Sequence, residues 1–144
     1  MMARCPLCHP DNETVLWRDG RCRVILVPDR DYPSFCRVIW QKHVKEMTDL
    51  AEPDRSHFMA VVLAVEHVLR ELVHPEKINL ASLGNQVPHL HWHVIPRFVD
   101  DAHFPDPIWA TRKRGARMET VDSAALAKHM TQWLSENLDE VQGS

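Results

Sequence analysis

The chain has 144 residues, and its hydrophobic content of 44% and charged content of 26% are ordinary for a soluble globular protein. This length fits one compact domain that buries about two-thirds of the surface of the unfolded chain, so we expect a single domain over residues 1–144. The net charge of −3 argues against a general nucleic-acid binder but leaves room for a small anionic ligand at a local positive site.

The sequence also argues against several locations and sites. No apolar run approaches the roughly 18 residues of a membrane span, and the first five residues do not begin a secretory signal. We therefore expect a cytoplasmic protein. With only four glycines the chain cannot build a Walker-type phosphate loop or a dinucleotide fingerprint, so any phosphate chemistry must use another cradle.

A Cys-x-x-Cys motif, Cys5 and Cys8, lies at the start of the chain. Such a motif occurs in zinc knuckles, in redox dithiols and in unrelated pairs of thiols. A redox role is weakly supported, because no βαβ pattern surrounds the pair. To bind zinc, two thiolates need two more ligands, and His43 and His89 are the candidates.

Three strands are predicted in the first third of the chain, over residues 15–17, 21–27 and 35–40. Asp19-Gly20 supplies the turn of a hairpin between the first two. Alternation along the second strand places Arg23 and Ile25 on one face and Val24 on the other. Asp29, in the Pro-rich break before the third strand, can be interpreted as a turn acid that caps its own backbone.

Two amphipathic helices are also predicted. The first begins near Pro53, and its apolar residues recur at the spacing of a buried stripe. This stripe consists of Phe58, Val62, Val65, Leu69 and Leu72. His57 and His67 fall off the stripe, so we expect both to face solvent. Asp122 or Ser123 caps the second helix. Its stripe consists of Leu126, Met130, Trp133, Leu134 and Leu138.

A fourth strand is predicted over residues 78–83, and it leads into the most informative stretch of the chain, residues 84–97. There His89, His91 and His93 alternate with apolar residues. Because successive side chains of a strand point to opposite faces, we expect three imidazoles on one face of a strand that ends at Pro96.

Three interpretations of these histidines compete: the solvated face of an edge strand, a metal site, and an activated nucleophile. A metal site built from all three is geometrically awkward, because the outer residues of a flat strand lie roughly 13 Å apart. The third interpretation makes the central His91 a nucleophile that its neighbours orient.

Residues 89–95, His-Leu-His-Trp-His-Val-Ile, resemble the signature of the histidine triad (HIT) superfamily, His-Φ-His-Φ-His-Φ-Φ with Φ apolar. The resemblance covers roughly residues 1–110, and it looks most like small bacterial HIT proteins assigned to diadenosine tetraphosphate hydrolysis. It implies an α+β fold with a five-stranded, mostly antiparallel sheet and two principal helices. It also implies a homodimer in which two sheets form one.

The resemblance implies a nucleotide hydrolase whose chemistry requires no cofactor. His91 would attack the α-phosphorus of an adenosine nucleotide, His93 would donate to a nonbridging oxygen, and His89 would orient the cluster. Dinucleoside polyphosphates and nucleoside phosphoramidates are equivalent substrates for such a site. A nucleotidyltransferase or phosphorylase with the same intermediate, and a non-catalytic nucleotide-binding module, are the alternatives.

The resemblance also suggests residues that bind the substrate. Asn79 matches a position that contacts the phosphate side, where Gly84 permits close backbone approach and Asn85 and Gln86 can donate hydrogen bonds. Gln86 departs from the Ser or Thr that the family often has. Asp29 is the nearest match to the residue that binds the ribose hydroxyls.

Three further features extend beyond residues 84–97: two follow the triad, and the third includes its first histidine. Trp109 can stack on a base or pack on its own protein, and the basic residues of segment 112–117 can be solvated or contact a polyphosphate. Some HIT hydrolases complete a zinc knuckle with a histidine after the third strand and with the first triad histidine. The set Cys5, Cys8, His43 and His89 matches that pattern, which implies a possible structural zinc.

Overall fold

A computed structural model describes the backbone of residues 4–142 and the side chains of residues 4–138, and it confirms the α+β fold. Five antiparallel strands form one sheet in the order β1-β2-β3-β5-β4. The strands are β1 Thr14–Arg18, β2 Cys22–Leu26, β3 Cys36–Trp40, β4 Lys77–Ala81 and β5 His91–Arg97. The helices are α1 Asp54–Val73 and α2 Ser123–Gln142, with a short 3-10 turn at Met47–Asp49. Within the described range no helix is long and apolar enough to cross a membrane.

The main core lies between one face of the sheet and α1. Phe58, Val62, Val65 and Leu69 of the predicted stripe are fully buried there, whereas Leu72 is partly buried. Helix α2 packs against α1 and β1, and the Asp122 carboxylate caps it by accepting hydrogen bonds from the first two helical N–H groups that follow Ser123. The predicted amphipathic patterns are thus confirmed in both helices.

The prediction that His57 faces solvent is wrong. Its side chain is buried, and its Nε2 lies 2.7 Å from the Asp19 carboxylate, whose other oxygen accepts hydrogen bonds from the N–H groups of Arg21 and Cys22. The contact therefore joins the β1–β2 turn to the first turn of α1. His67 is exposed, as expected.

The strand that carries the triad differs from the prediction at both ends. His89 lies in a bend before β5, so only His91 and His93 share a face of that strand. At the other end the strand continues past Pro96 to Arg97. Proline is tolerated there because the pairing of β5 with β3 ends at Val94, so Pro96 pairs only with β4.

A buried ion pair stabilises the segment that follows β5. Arg97 and Asp101 are 2% and 1% exposed, and the guanidinium binds both carboxylate oxygens at 2.8 and 3.1 Å. Tyr32 donates to the same carboxylate. Burial alone would raise the pKa of Asp101, but Arg97 and three backbone N–H groups hold it well below its ordinary value of 3.8. The ion pair therefore stabilises the fold above that pH, and its contribution is lost as acid protonates the carboxylate.

Replacing Asp101 by alanine is expected to lower the free energy of unfolding by about 3–5 kcal/mol, because Arg97 is then an uncompensated buried charge. Urea denaturation followed by circular dichroism measures the change. Asp100→Ala is the matched control: Asp100 is exposed and pairs with Arg117, so its loss should cost about 1 kcal/mol or less. Equal losses in the two variants would contradict the assignment.

Candidate functional site

A cavity of about 450 Å³ lies on the face of the sheet opposite the helices. It is lined by Pro6, Leu7, Arg37, Leu83, Gly84, Asn85, Gln86, Val87, His91, His93 and Trp109. Six of these residues were predicted from the sequence as catalytic or substrate-binding. The structure thus brings together residues 83–87 of the β4–β5 connection, two triad histidines and the aromatic residue that follows them.

His91 lies in the cavity with one ring nitrogen committed to the backbone. Its Nδ1 is 2.5 Å from the carbonyl oxygen of His89, and because a carbonyl can only accept, Nδ1 carries the hydrogen. Burial lowers the pKa of His91, although the hydrogen bond to the carbonyl opposes this effect. The ring is therefore neutral near pH 7, and its Nε2 has a free lone pair.

His93 is the second histidine of the cavity, and it has the complementary tautomer. The Nε of Arg37 donates to His93 Nδ1 over 3.5 Å, so the hydrogen of the neutral ring lies on Nε2. Phe35 and Trp109 pack on the ring, with centroids 5.5 and 5.2 Å away. Burial, with Arg37 and His91 adding to it, lowers the pKa of His93 to about 3. His93 is thus a neutral donor beside a neutral His91.

Gly84 and the two residues after it form the rim of the cavity. Gly84 has a φ of +71°, a conformation that residues with a Cβ rarely adopt. The side chains of Asn85 and Gln86 are exposed, and among the described residues neither has a hydrogen-bond partner. Their amide groups are therefore available to a ligand in the cavity.

His89 belongs to a different cluster, beside the cavity. Its Nδ1 lies 3.5 Å from Cys5 Sγ, 3.4 Å from Cys8 Sγ and 3.2 Å from His43 Nδ1, and the Cys8–His43 distance is 3.3 Å. All four ligand atoms lie within 4.8 Å of one another. The four residues that the sequence suggested for a metal therefore converge into one candidate metal site.

The geometry of this cluster fits a tetrahedral ion with nitrogen and sulfur ligands. Tetrahedral zinc with ordinary bond lengths separates neighbouring ligand atoms by about 3.3–3.7 Å, close to the four distances given above. His89 Nε2 lies 2.6 Å from the carbonyl oxygen of Trp40, so it carries the hydrogen and leaves Nδ1 free to bind. The backbone thus orients this imidazole toward the two thiols.

Two predicted binding residues have partners within the protein. The side-chain oxygen of Asn79 accepts a hydrogen bond of 2.7 Å from Arg97, and Asn79 is not among the residues that line the cavity. Asp29 accepts a hydrogen bond from the N–H of Asp31 at 2.9 Å, which is the turn-capping interpretation. Their proposed contacts with phosphate and ribose stay predictions.

The basic residues of segment 112–117 also have partners in the chain. Arg112 pairs with Asp31, and Lys113 lies 3.4 Å from Asp106. Arg114 donates to two backbone carbonyls, and Arg117 pairs with Asp100 and Glu119. These contacts favour a structural role for the segment.

Arg37 is the functional candidate that the sequence analysis missed. It is the only charged residue among the described residues that line the cavity, and it pairs with His93 across β3 and β5. A single arginine in the otherwise apolar segment 36–40 was the available signal. This signal does not place Arg37 at the site, because the sequence alone does not say which strand pairs with the triad.

Comparison with known proteins defines the class of protein. The family model described as the HIT domain matches residues 10–100, so the chain belongs to the HIT domain family, which consists generally of nucleotide-processing enzymes. A relative from Mycobacterium tuberculosis named AP-4-A phosphorylase is 28% identical over 78 residues. That match covers 50% of this chain and 40% of the relative, so the chain matches less than half of the relative's length.

Solved structures show the same fold. A histidine triad protein from Sinorhizobium meliloti is 28% identical, with a TM-score of 0.69 over 84% of this chain and 89% of that chain. A zinc-bound histidine triad family protein from Mycobacterium smegmatis is 20% identical, with a TM-score of 0.60 over 94% of this chain and 92% of that chain.

The His93 ring is expected to stay neutral down to about pH 3, because burial and Arg37 disfavour its protonated form. Nuclear magnetic resonance of the ring nitrogens measures the pKa of His93 in the folded protein. The reference is the urea-unfolded protein, in which the ring titrates at about 6.5. Since only the unfolded state binds this proton between those values, acidification through that range should lower the free energy of unfolding, by up to about 1.4 kcal/mol per pH unit. A folded-state pKa near 6.5 would contradict the assignment.

Proposed function

We propose that the protein is a nucleotide hydrolase that cleaves the α-phosphate linkage of adenosine nucleotides through a nucleotidyl intermediate on His91. The observation that carries this proposal is the tautomer of His91: its Nδ1–H is bound to the carbonyl of His89, which leaves the Nε2 lone pair for the cavity. A neutral imidazole with a free ring nitrogen is a nucleophile that needs no base to activate it.

In the first step His91 Nε2 forms a bond to the α-phosphorus. The bond from phosphorus to the leaving group breaks, and the leaving group departs with that electron pair and takes up a proton from solvent. In the second step a water oxygen bonds to the phosphorus and the phosphorus–nitrogen bond breaks. His91 is released as neutral imidazole with its Nδ1–H unchanged, and a water proton goes to solvent. The products are AMP and the protonated leaving group.

The other residues of the cavity would stabilise the charge on the phosphate oxygens. His93 would donate from Nε2, the nitrogen that Arg37 leaves protonated. The amides of Asn85 and Gln86 and the backbone of Gly84 lie on the same rim. Donors fixed around developing charge supply much of the catalysis of phosphoryl transfer, which suits a site with several such groups.

A second cavity, of about 290 Å³, would hold the nucleoside. It shares Pro6, Leu7 and Arg37 with the larger cavity at His91 and His93, which we call the triad cavity. Ile25 and Pro28 give the second cavity apolar walls. Asp29 follows Pro28, which supports its proposed contact with the ribose. Trp109 is 52% exposed beside His93 and is proposed to stack on a base of the substrate. Diadenosine tetraphosphate and adenosine 5′-phosphoramidate both contain the required α-phosphate.

Phosphorolysis is the second candidate, and the relative named AP-4-A phosphorylase favours it. Phosphate in place of water would release ADP from the same intermediate, whereas hydrolysis releases AMP. Product analysis with and without added phosphate separates the two reactions. The homodimer implied by the family resemblance is proposed as the working assembly.

We also propose that Cys5, Cys8, His43 and His89 hold a structural zinc ion. The zinc-bound relative from Mycobacterium smegmatis supports the choice of metal. A metal there would attach the N-terminal segment to the bend that precedes β5 and would fix the carbonyl of His89 to which His91 donates. Its role would be to position His91.

His91→Ala is expected to reduce AMP release from diadenosine tetraphosphate and from adenosine 5′-phosphoramidate by at least about 10³-fold, because it removes the nitrogen that forms the proposed intermediate. Chromatography of the products measures the rates. His129→Ala, at an exposed position on α2, is the control and should keep wild-type rates. Near-normal turnover by His91→Ala would overturn the mechanism. If the wild type binds AMP but consumes neither compound, the protein is a binding module.

Removal of the metal by a chelator is expected to release about one zinc ion per chain and to lower the melting temperature by about 10 °C. Elemental analysis and thermal unfolding measure the two effects. Cys8→Ser should abolish zinc binding and show the same loss of stability. His9→Asn, next to Cys8 but outside the cluster, should change neither. A purified wild type whose zinc content matches that of Cys8→Ser would refute the site.

A further inference from the structure

Three arginines with buried or partly buried side chains lie on the face of the sheet opposite the helices, one on each of three strands, and two of them are neutralised. Arg23 binds both oxygens of Glu13 at 2.8 and 2.9 Å. Arg97 binds both oxygens of Asp101. Arg37 has no carboxylate within ion-pair distance among the described residues. Of these three buried or partly buried arginines, Arg37 is therefore the one that has no counterion among the described residues.

Arg37 occupies the boundary between the two cavities. It pairs with Ile25 on β2 and with His93 on β5, and it lines both the triad cavity and the neighbouring cavity. Its side chain is half-buried, and its one described hydrogen bond is from Nε to His93. Its two terminal nitrogens are thus left to the cavities.

The side chains around the triad cavity do not neutralise the charge of Arg37. The described residues that line this cavity include no Asp or Glu. Glu13 lines the neighbouring cavity, but Arg23 already binds both of its oxygens. A partly buried charge is costly to leave unpaired, and a guanidinium offers two parallel donors that match two oxygens of a phosphate.

We propose that Arg37 is a phosphate-binding residue of this site, and that it pairs with nonbridging oxygens of the nucleotide while His91 faces the phosphorus. This inference rests on the proposed function for its ligand, a nucleoside 5′-phosphate group. The position of Arg37 between the cavities places its charge where a phosphate joins a nucleoside. Recognition would thus depend on a permanent cation from β3 in addition to the neutral donors of the rim.

The test compares the affinity for AMP with the affinity for adenosine, because adenosine lacks only the phosphate group of AMP. Isothermal titration calorimetry of the wild type, Arg37→Met, Arg37→Lys and the control Arg70→Met gives both dissociation constants. Arg70 is exposed on α1, so its variant loses the same charge away from the site. Arg37→Gln makes the same comparison if Arg37→Met does not fold.

Arg37→Met is expected to bind AMP about 10- to 100-fold more weakly, the loss typical of a hydrogen-bonded charge, while its affinity for adenosine changes less than about twofold. Arg37→Lys should recover part of the loss, and Arg70→Met should match the wild type. If Arg37 had only a structural role, its replacement would weaken the binding of both ligands equally. That result, an unchanged affinity for AMP, or a wild type that binds AMP no more tightly than adenosine would overturn the inference.

Binding and turnover separate this inference from the proposed function. If the wild type hydrolyses neither substrate but Arg37→Met selectively loses affinity for AMP, the proposed hydrolase activity is wrong and Arg37 still binds phosphate. If the wild type hydrolyses both substrates and Arg37→Met binds AMP normally, the hydrolase stands and the role of Arg37 is wrong.

Discussion

The hydrogen bond from His91 Nδ1 to the carbonyl oxygen of His89 determines what this site can do. It holds the hydrogen of a neutral imidazole on one nitrogen and presents the other to the cavity. The carbonyl can serve because His89 lies in a bend rather than in β5. The departure from a regular strand thus lets the backbone of His89 orient the ring of His91.

Two clusters hold β5 from opposite ends. Before the strand, His89 joins Cys5, Cys8 and His43 through one ring nitrogen and the Trp40 carbonyl through the other. After the strand, the buried pair of Arg97 and its carboxylate fixes the segment that leads to Trp109. His91 and His93 lie on the strand between these two clusters, so contacts at both of its ends position the two histidines.

The electrostatics of the site contrast with those of the whole protein. The net charge is −3, yet the described residues that line the triad cavity carry one arginine and no carboxylate. Burial lowers the pKa values of His91 and His93, so both rings are neutral near pH 7 and add no charge to the cavity. Under the proposal above, Arg37 supplies the permanent charge and the histidines supply the chemistry.

The sequence by itself determined both helix stripes and the alternation of the triad, because periodicity is a local property of the chain. Its resemblance to the HIT superfamily implied the five-stranded fold and the four residues of the candidate metal site. Only the tertiary structure decided which partner each polar side chain has. Asn79 binds Arg97, His57 binds Asp19, and Arg37 faces His93. Alternation says on which face a residue lies, but it does not say which strand lies beside it. Those pairings depend on strand order and register, which join residues far apart in sequence.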